Sequence, residues 1–301
     1  MINTNTSHQL LGRKVNFDFN HIPKYWIADD PLATHILNMA HVILPAGEFW
    51  FCRVFNKALP YIENEQLKAD VKGFIHQEAI HGRTHEKARI YFEQHGFDVI
   101  QFTQRMHYIF EVLLGDSPLG LSFFKQLISE KQWLKLRIGM IAGIEHYTGV
   151  VGQWSLDNRT LDDDEPIMVD LFRWHLAEEV EHRNVAFDLL RAMYSSNLNF
   201  QIVKNLSLFI VLPLLLILWI FGTQHILKQD QHAAQFSKMS MLRILIEVEK
   251  TARKNDHLPR VSRLIGASLR WFHPRFHPEL EGNTKQALAY LNHSMEVLKA
   301  R

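Results

Sequence analysis

Residues 172–188, FRWHLAEEVEHRNVAFD, carry His175, Glu179 and His182 at steps of four and three residues. On an α-helix those steps put all three side chains on one stripe. Imidazole and carboxylate on one stripe make half of a transition-metal site. The segment FIHQEAIHGRTH, residues 74–85, repeats the motif with Glu78 and His81, and His85 follows one turn later. Glu48 and Glu145 complete a series that reads Glu, Glu-x-x-His, Glu, Glu-x-x-His. The gap from Glu48 to Glu78 is 30 residues, and from Glu145 to Glu179 it is 34. At about 1.5 Å per residue, each gap lets a helix run out, turn and return to the same height.

The residue types fit that chemistry. Two divalent cations close together repel in a low-dielectric core. Four carboxylates offset their charge and can bridge them, while neutral imidazoles complete the shells. Four buried glutamates without a cation would be strongly unfavourable. A Glu from each of two helices with Glu-x-x-His from two others is the inward pattern of dinuclear carboxylate bundles. Glu145 lies in IGMIAGIEHYTGVVGQW, an otherwise apolar stretch, which argues for burial. Gln77 and Glu178, each just before a glutamate of the series, are placed to orient the histidine of the opposite motif, the alternative for Glu178 being a solvent-facing or Arg-paired carboxylate. Thr148, three residues after Glu145, is a candidate catalytic hydroxyl facing the open metal positions. The alternative is a core threonine bonded to a backbone carbonyl.

The elements that must position these groups are all helical, and no stretch reads as a strand. Asp30-Pro31 opens a helix running to about Leu59, with Pro45 expected to kink or break it before Glu48. Further helices are expected over 64–95, 99–114, 121–154 and 166–195. The expected organisation is a lead-in over 1–28, a di-metal helical bundle over 29–198, an apolar segment over 199–228 and a basic helical tail over 229–301. Residues 205–224 contain no charged side chain. Their apolar part, 206–222, is at the short end for a membrane span, and a buried bundle helix is the competing reading. Within the tail, an amphipathic helix is expected over 240–254, and Arg260, Arg263 and Arg270 alternate with apolar residues. The pairs His273-Pro274 and His277-Pro278 read as turns.

The 301 residues are 47% hydrophobic and 22% charged, with a net charge of +1. That balance excludes a disordered chain and gives no general reason to expect nucleic acid. Charge is unevenly spread: residues 226–301 hold 13 Lys and Arg against 7 Asp and Glu, and the first 225 hold 20 against 25. A basic tail behind an acidic body fits an anionic membrane surface. The single cysteine, Cys52, excludes an intrachain disulfide and Cys-rich metal sites. No apolar signal-peptide core is visible near the first residue. The expected location is therefore cytoplasmic, with attachment to an inner membrane through 206–222.

The four-term pattern resembles the ferritin-like superfamily, which implies a four-helix bundle with a dinuclear site. H-x-x-x-E-x-x-H, here His175, Glu179 and His182, resembles the aryl-amine N-oxygenase branch of di-iron proteins. LPAGE, HQEAIHGRTH, HLAEEVEHRNVAFD and the late FHP together resemble a bacterial family of predicted metal-dependent hydrolases, over roughly residues 15–280. Carried over position by position, the implied ligands are Glu48, Glu78, His81, Glu145, His175, Glu179 and His182, with His85 as an eighth candidate. The leading functional expectation is a di-iron oxygenase or oxidase, using O2 and an external electron donor on a lipophilic small molecule. Two iron ions are the expected cofactors, with manganese or zinc as alternatives. Metal-dependent hydrolysis at the same dinuclear site is the alternative, and metal binding without turnover is a second. A membrane surface and a second copy of the chain are the expected macromolecular partners.

Overall fold

A computed structural model describes residues 9–299, and the regular elements among them are all helical. The first eight residues of the expected lead-in lie outside the described ones. Residues 9–28 form no helix but are not a polar tail: Leu10, Phe17, Phe19, Ile22 and Trp26 are buried. They strap the N-terminal segment across the bundle.

Helix α1 (Pro31–Asn38) starts where Asp30 Oδ1 accepts the Ala33 amide at 2.9 Å. The chain is interrupted at Met39, and α2 (Ala40–Ala58) then carries Glu48. The expected break at Pro45 does not occur, because Pro45 sits inside α2. Packing of α2 along α3 outweighs the one backbone hydrogen bond that proline cannot donate. Helix α3 (Glu65–Ala88) is capped by Asn64 and carries Glu78, His81 and His85. It stops at Arg89, so the expected helix to His95 is two pieces, with α4 (Ile90–Gln94) ending before Gly96 at φ +72°.

Helix α5 (Ile100–His107) continues as a wider π turn over Tyr108–Leu113. The helix expected from about 121 starts later. Residues 118–126 form short 3-10 turns, and a reciprocal cap between Ser129 and Gln132 opens α6 (Glu130–Asp157). Helix α7 (Pro166–His182) begins at the Glu165 cap and carries His175, Glu179 and His182. It too ends earlier than the pattern implied, giving way to α8 (Val185–Ala192). The break falls at Arg183, whose guanidinium turns into the tail. It donates to the carbonyls of Pro278 (3.1 Å), Glu279 (3.0 Å) and Gly282 (3.1 Å).

Helix α9 (Asn197–Leu227) is the apolar segment, 31 residues long. By length and composition it could cross a membrane, yet 39% of its most apolar window is buried in the protein. It lies along α6, where Ser207 Oγ donates to the Leu136 carbonyl at 3.3 Å. Lys204, midway along its first half, is buried and donates to the Trp271 carbonyl at 2.7 Å. Burial pushes its pKa down to about 8. The tail follows as α10 (Ala234–Ser237), α11 (Met241–Asn255), α12 (Val261–Trp271), α13 (Thr284–Leu291) and α14 (Met295–Lys299). It docks on the bundle: Ser294 donates to Asp170 at 3.1 Å, and His277 lies 3.0 Å from Asp188. Both His-Pro pairs sit in turns, with His277 capping the turn over Pro278–Glu281.

Glycines on α6 set the helix separations. A Cβ at Gly139 would lie 2.2 Å from Ser207 Oγ, and one at Gly152 would lie 2.4 Å from the Leu176 carbonyl oxygen of α7. The α6–α7 distance that brings Glu145 to Glu179 therefore depends on Gly152. In an unconstrained helix, glycine to alanine would stabilise by roughly 0.5–1 kcal/mol. Here Gly152→Ala is expected to destabilise by about 1–3 kcal/mol, because backbone must move. Urea unfolding monitored by circular dichroism measures the sign.

Candidate metal centre

Helices α2, α3, α6 and α7 each direct at least one carboxylate to a common interior point. Glu48, Glu78, Glu145 and Glu179 are at most 2% exposed, and His81, His175 and His182 are at most 3% exposed. Single ligand atoms from Glu78, Glu145, Glu179 and His182 all lie within 4.8 Å of one another. The same holds for Glu48, Glu78 and His81, and for His81, His175 and Glu179. A fourth such group joins Glu48 and His175 to His85, and Glu48, Glu78, His81, His175 and Glu179 each belong to two groups, so the groups form one continuous cluster with donors enough for two ions. All seven residues of the implied ligand set thus meet at one place.

The free atoms fit a cation. Both carboxyl oxygens of Glu48, Glu78 and Glu145 lack a hydrogen-bond partner among the described residues, as do His81 Nδ1 and His182 Nε2. His182 Nε2 does approach Glu145 Oε2 at 3.0 Å, but without hydrogen-bond geometry. Buried polar atoms left in this way are costly. Here they point at one another, as donors around a cation would.

The opposite ring nitrogens are held. His182 Nδ1 lies 2.9 Å from Gln77 Oε1, and His81 Nε2 lies 2.8 Å from Glu178 Oε2. Each motif's histidine is oriented by the residue preceding the other motif's glutamate, as the sequence reading placed them. These partners fix which nitrogen faces the cluster. Arg13 was not legible as part of this system. From the N-terminal strap it donates to Glu178 Oε1 at 2.8 Å and to both oxygens of Glu181 at 2.6 and 2.9 Å. Gln77 Nε2 also donates to Glu181, at 2.8 Å. One basic residue in a segment without periodicity gives no signal of a partner 165 residues away.

His85, the eighth candidate, shares a possible ligand group with Glu48 and His175, while its ring nitrogens lie nearest two other imidazoles. Its Nε2 lies 2.6 Å from His175 Nδ1, and its Nδ1 lies 2.8 Å from His41 Nδ1. His175 in turn presents Nε2 to Glu179 Oε1 at 2.9 Å and to Glu48 Oε1 at 3.5 Å. His85 thus stands behind His175, and His41, which the spacing argument did not single out, stands behind His85. Thr148 Oγ1 reaches both alternatives weighed from the sequence: the Glu145 carbonyl at 3.2 Å and Glu179 Oε2 at 2.5 Å. A cavity of about 30 Å³ adjoins the cluster, with Thr148 on its wall. That is room for a water or two. Ile43, Leu44, Phe51, Phe110, Ile144 and Leu215 make the wall apolar.

Charge is distributed unevenly over the cluster. Burial, then the neighbouring carboxylates, holds Glu78 well above the ordinary carboxyl range; burial does the same for Glu48. Glu145 is pushed up to about 8, by burial and then by Glu179. Burial opposes charge on His81 and His182 as well, yet the bond to Glu178 raises His81 to about 9, and the charge of Glu179 raises His182 to about 10. Glu179 is held well below its usual range despite burial, chiefly by His182 and the bond from His175. His175 is lowered to about 4 and His41 to about 3, burial leading in both.

The family model described as predicted metal-dependent hydrolase matches residues 12–282. The chain belongs to that family. No curated protein and no solved structure matches the chain. Membership corrects the leading expectation of a di-iron oxygenase or oxidase: the family is one of predicted metal-dependent hydrolases, which matches the alternative expectation. His175 had tilted the sequence reading toward O2 chemistry, but the ligand types of such a cluster serve hydrolysis equally.

Two outcomes are expected for this predicted metal-dependent hydrolase. Gln77→Leu and Glu178→Ala should each weaken metal binding by about 10–100-fold, measured by competition with a chromogenic chelator. The metal-free protein should lose stability as pH rises from 7 to 9. Folded Glu145, His81 and His182 keep protons that the unfolded chain has already released above their ordinary values, so deprotonation favours unfolding. Cations replace those protons, so metal should raise the melting temperature more at pH 9 than at pH 6.

Proposed function

We propose that the chain is a hydrolase dependent on two divalent metal ions held by Glu48, Glu78, His81, Glu145, His175, Glu179 and His182. The observation that carries this reading is the inward set of unpartnered donor atoms, whose opposite faces are held by Gln77 and Glu178. The four-helix order Glu, Glu-x-x-His, Glu, Glu-x-x-His supports a ferritin-like core. Four carboxylates with three imidazoles suit manganese, iron or zinc.

Two ions in such a site supply Lewis acidity toward a carbonyl or phosphoryl oxygen and make water a stronger acid. The protein's residues prepare the rest. Thr148 donates to Glu179 Oε2, so that oxygen is held in place and Oε1 is left for a metal ion. Thr148 is the one hydroxyl among the described residues that line the cavity, which places it to bond a polar group of the substrate. Phe110, Ile144 and Leu215 keep bulk water from the cluster and so strengthen its electrostatics.

Metal analysis of protein purified without added metal, followed by reconstitution with manganese, zinc or anaerobic iron, tests this function. The expected result is about two ions per chain and hydrolysis of p-nitrophenyl esters or phosphates by the loaded form alone. Glu145→Ala and His182→Ala should lose metal and lower the rate on the order of 100-fold or more. Thr148→Val should retain metal while the rate falls about tenfold. Two ions per chain in both Glu145→Ala and His182→Ala would mean the ligand set is wrong.

A further inference from the structure

Helix α9 presents two faces, and one lacks a protein partner of the kind its chemistry demands. Leu208, Val211 and Leu218 point inward and are buried. Leu198, Ile202, Leu206, Phe209, Leu216 and Phe221 are exposed, with Leu198 at 69% and Phe209 at 67%. At 100° per residue these six fall on one side of the helix, over a length of about 35 Å. A helix on the surface of a water-soluble domain would carry polar side chains there.

The apolar surface extends onto a neighbouring element. Phe102 of α5 lies against α9 at Gly222 and stacks on His225 at 6.3 Å between ring centroids. From the same stretch, Ile100, Tyr108 and Val112 are exposed. Residues 99–110 and 189–229 contain no Asp or Glu, while Arg105, Arg191 and Lys228 lie within them. Asp98 and Glu111 border this face, Glu111 lying 3.1 Å from His107; an apolar face whose own charged residues are cations complements anionic lipid headgroups over acyl chains. The buried face of α9 on α6, with Lys204 fixed by the Trp271 carbonyl, rules out a lone crossing helix in this fold. A bilayer could therefore meet this helix only along its length.

The metal centre opens toward the same helix. Leu215 lines the cavity beside Glu48, Glu145 and Thr148, and the next residue, Leu216, is on the exposed stripe. Leu44, Thr148 and Leu215 are each half-buried while lining the cavity, so the wall there is one side chain thick. We propose that the exposed face of α9 rests on an anionic bilayer and that the substrate, an amphiphile with an apolar chain, enters the metal centre from the lipid past Leu215. The substrate part of this inference rests on the hydrolase reading above; the docking part does not.

Flotation of the metal-loaded full chain with vesicles tests the docking. Binding is expected to vesicles of mixed phosphatidylcholine and phosphatidylglycerol, and to be weaker with phosphatidylcholine alone. Phe209→Glu combined with Phe221→Glu should cut the bound fraction at least tenfold while metal content stays unchanged. A nitrobenzoxadiazole probe attached through Leu216→Cys, in a Cys52→Ala background, should be quenched by lipids brominated on their acyl chains. The same probe attached through Lys72→Cys, on α3 beside the N-terminal strap, should not be. No flotation, with a stable dimer by sedimentation velocity, would overturn the proposal and assign the face to a second copy. Flotation with the probe at position 216 unquenched would overturn it as well. For the route, decanoate should perturb the visible spectrum of the cobalt-loaded protein at a concentration on the order of 100-fold below acetate. Equal concentrations would overturn entry from the lipid. Failure to hydrolyse any ester or phosphate would count against the hydrolase reading and leave the flotation and quenching results standing.

Discussion

Burying four carboxylates at one point inside a helical bundle is the constraint that shapes this protein. Unpaired, they would cost more than the surrounding core can offset. Metal-free, the cluster lowers its own charge by keeping protons on Glu48, Glu78 and Glu145 and by charging His81 and His182. Every helix boundary that matters serves the placement of those groups. The Ser129 cap sets where α6 starts, Gly152 lets α6 approach α7, and Arg183 ends α7 one residue after His182. The N-terminal strap contributes Arg13, without which Glu178 and Glu181 would be buried against each other's charge.

The same cluster explains why the choice between oxidation and hydrolysis was not written in the ligands. Carboxylates and imidazoles around two cations suit either chemistry, and His175 was the one feature that leaned toward oxygen. In the structure His175 is as much the end of a buried histidine row as a member of the cluster. His85, which still shares a possible ligand group with Glu48, and His41 continue that row. Membership in a family of predicted metal-dependent hydrolases, over residues 12–282, favours hydrolysis over oxidation.

Helix α9 answers two demands at once. Its inner face completes the bundle against α6 and closes the cavity with Leu215. Its outer face stays apolar over most of its length. Uniform hydrophobicity, which on its own reads as a span or a core, here reflects different surroundings on the two sides.

The sequence by itself determined the helical class and the four-term Glu and Glu-x-x-His series, and it marked Gln77 and Glu178 as candidates to orient the histidines. Each follows from short-range periodicity: steps of three and four residues fix a stripe whatever the tertiary fold. The tertiary structure decided what periodicity cannot carry. Pro45 survives inside α2 because α3 packs along it, while α7 stops at Arg183 because a tail some hundred residues later supplies carbonyls. Arg13 reaches Glu178 across 165 residues, His85 turns to His41 and His175, and only one face of α9 is covered. These contacts join segments distant in the chain, and their energies depend on which surfaces meet. Residue spacing states where a side chain points on its own helix; it does not state what the helix faces.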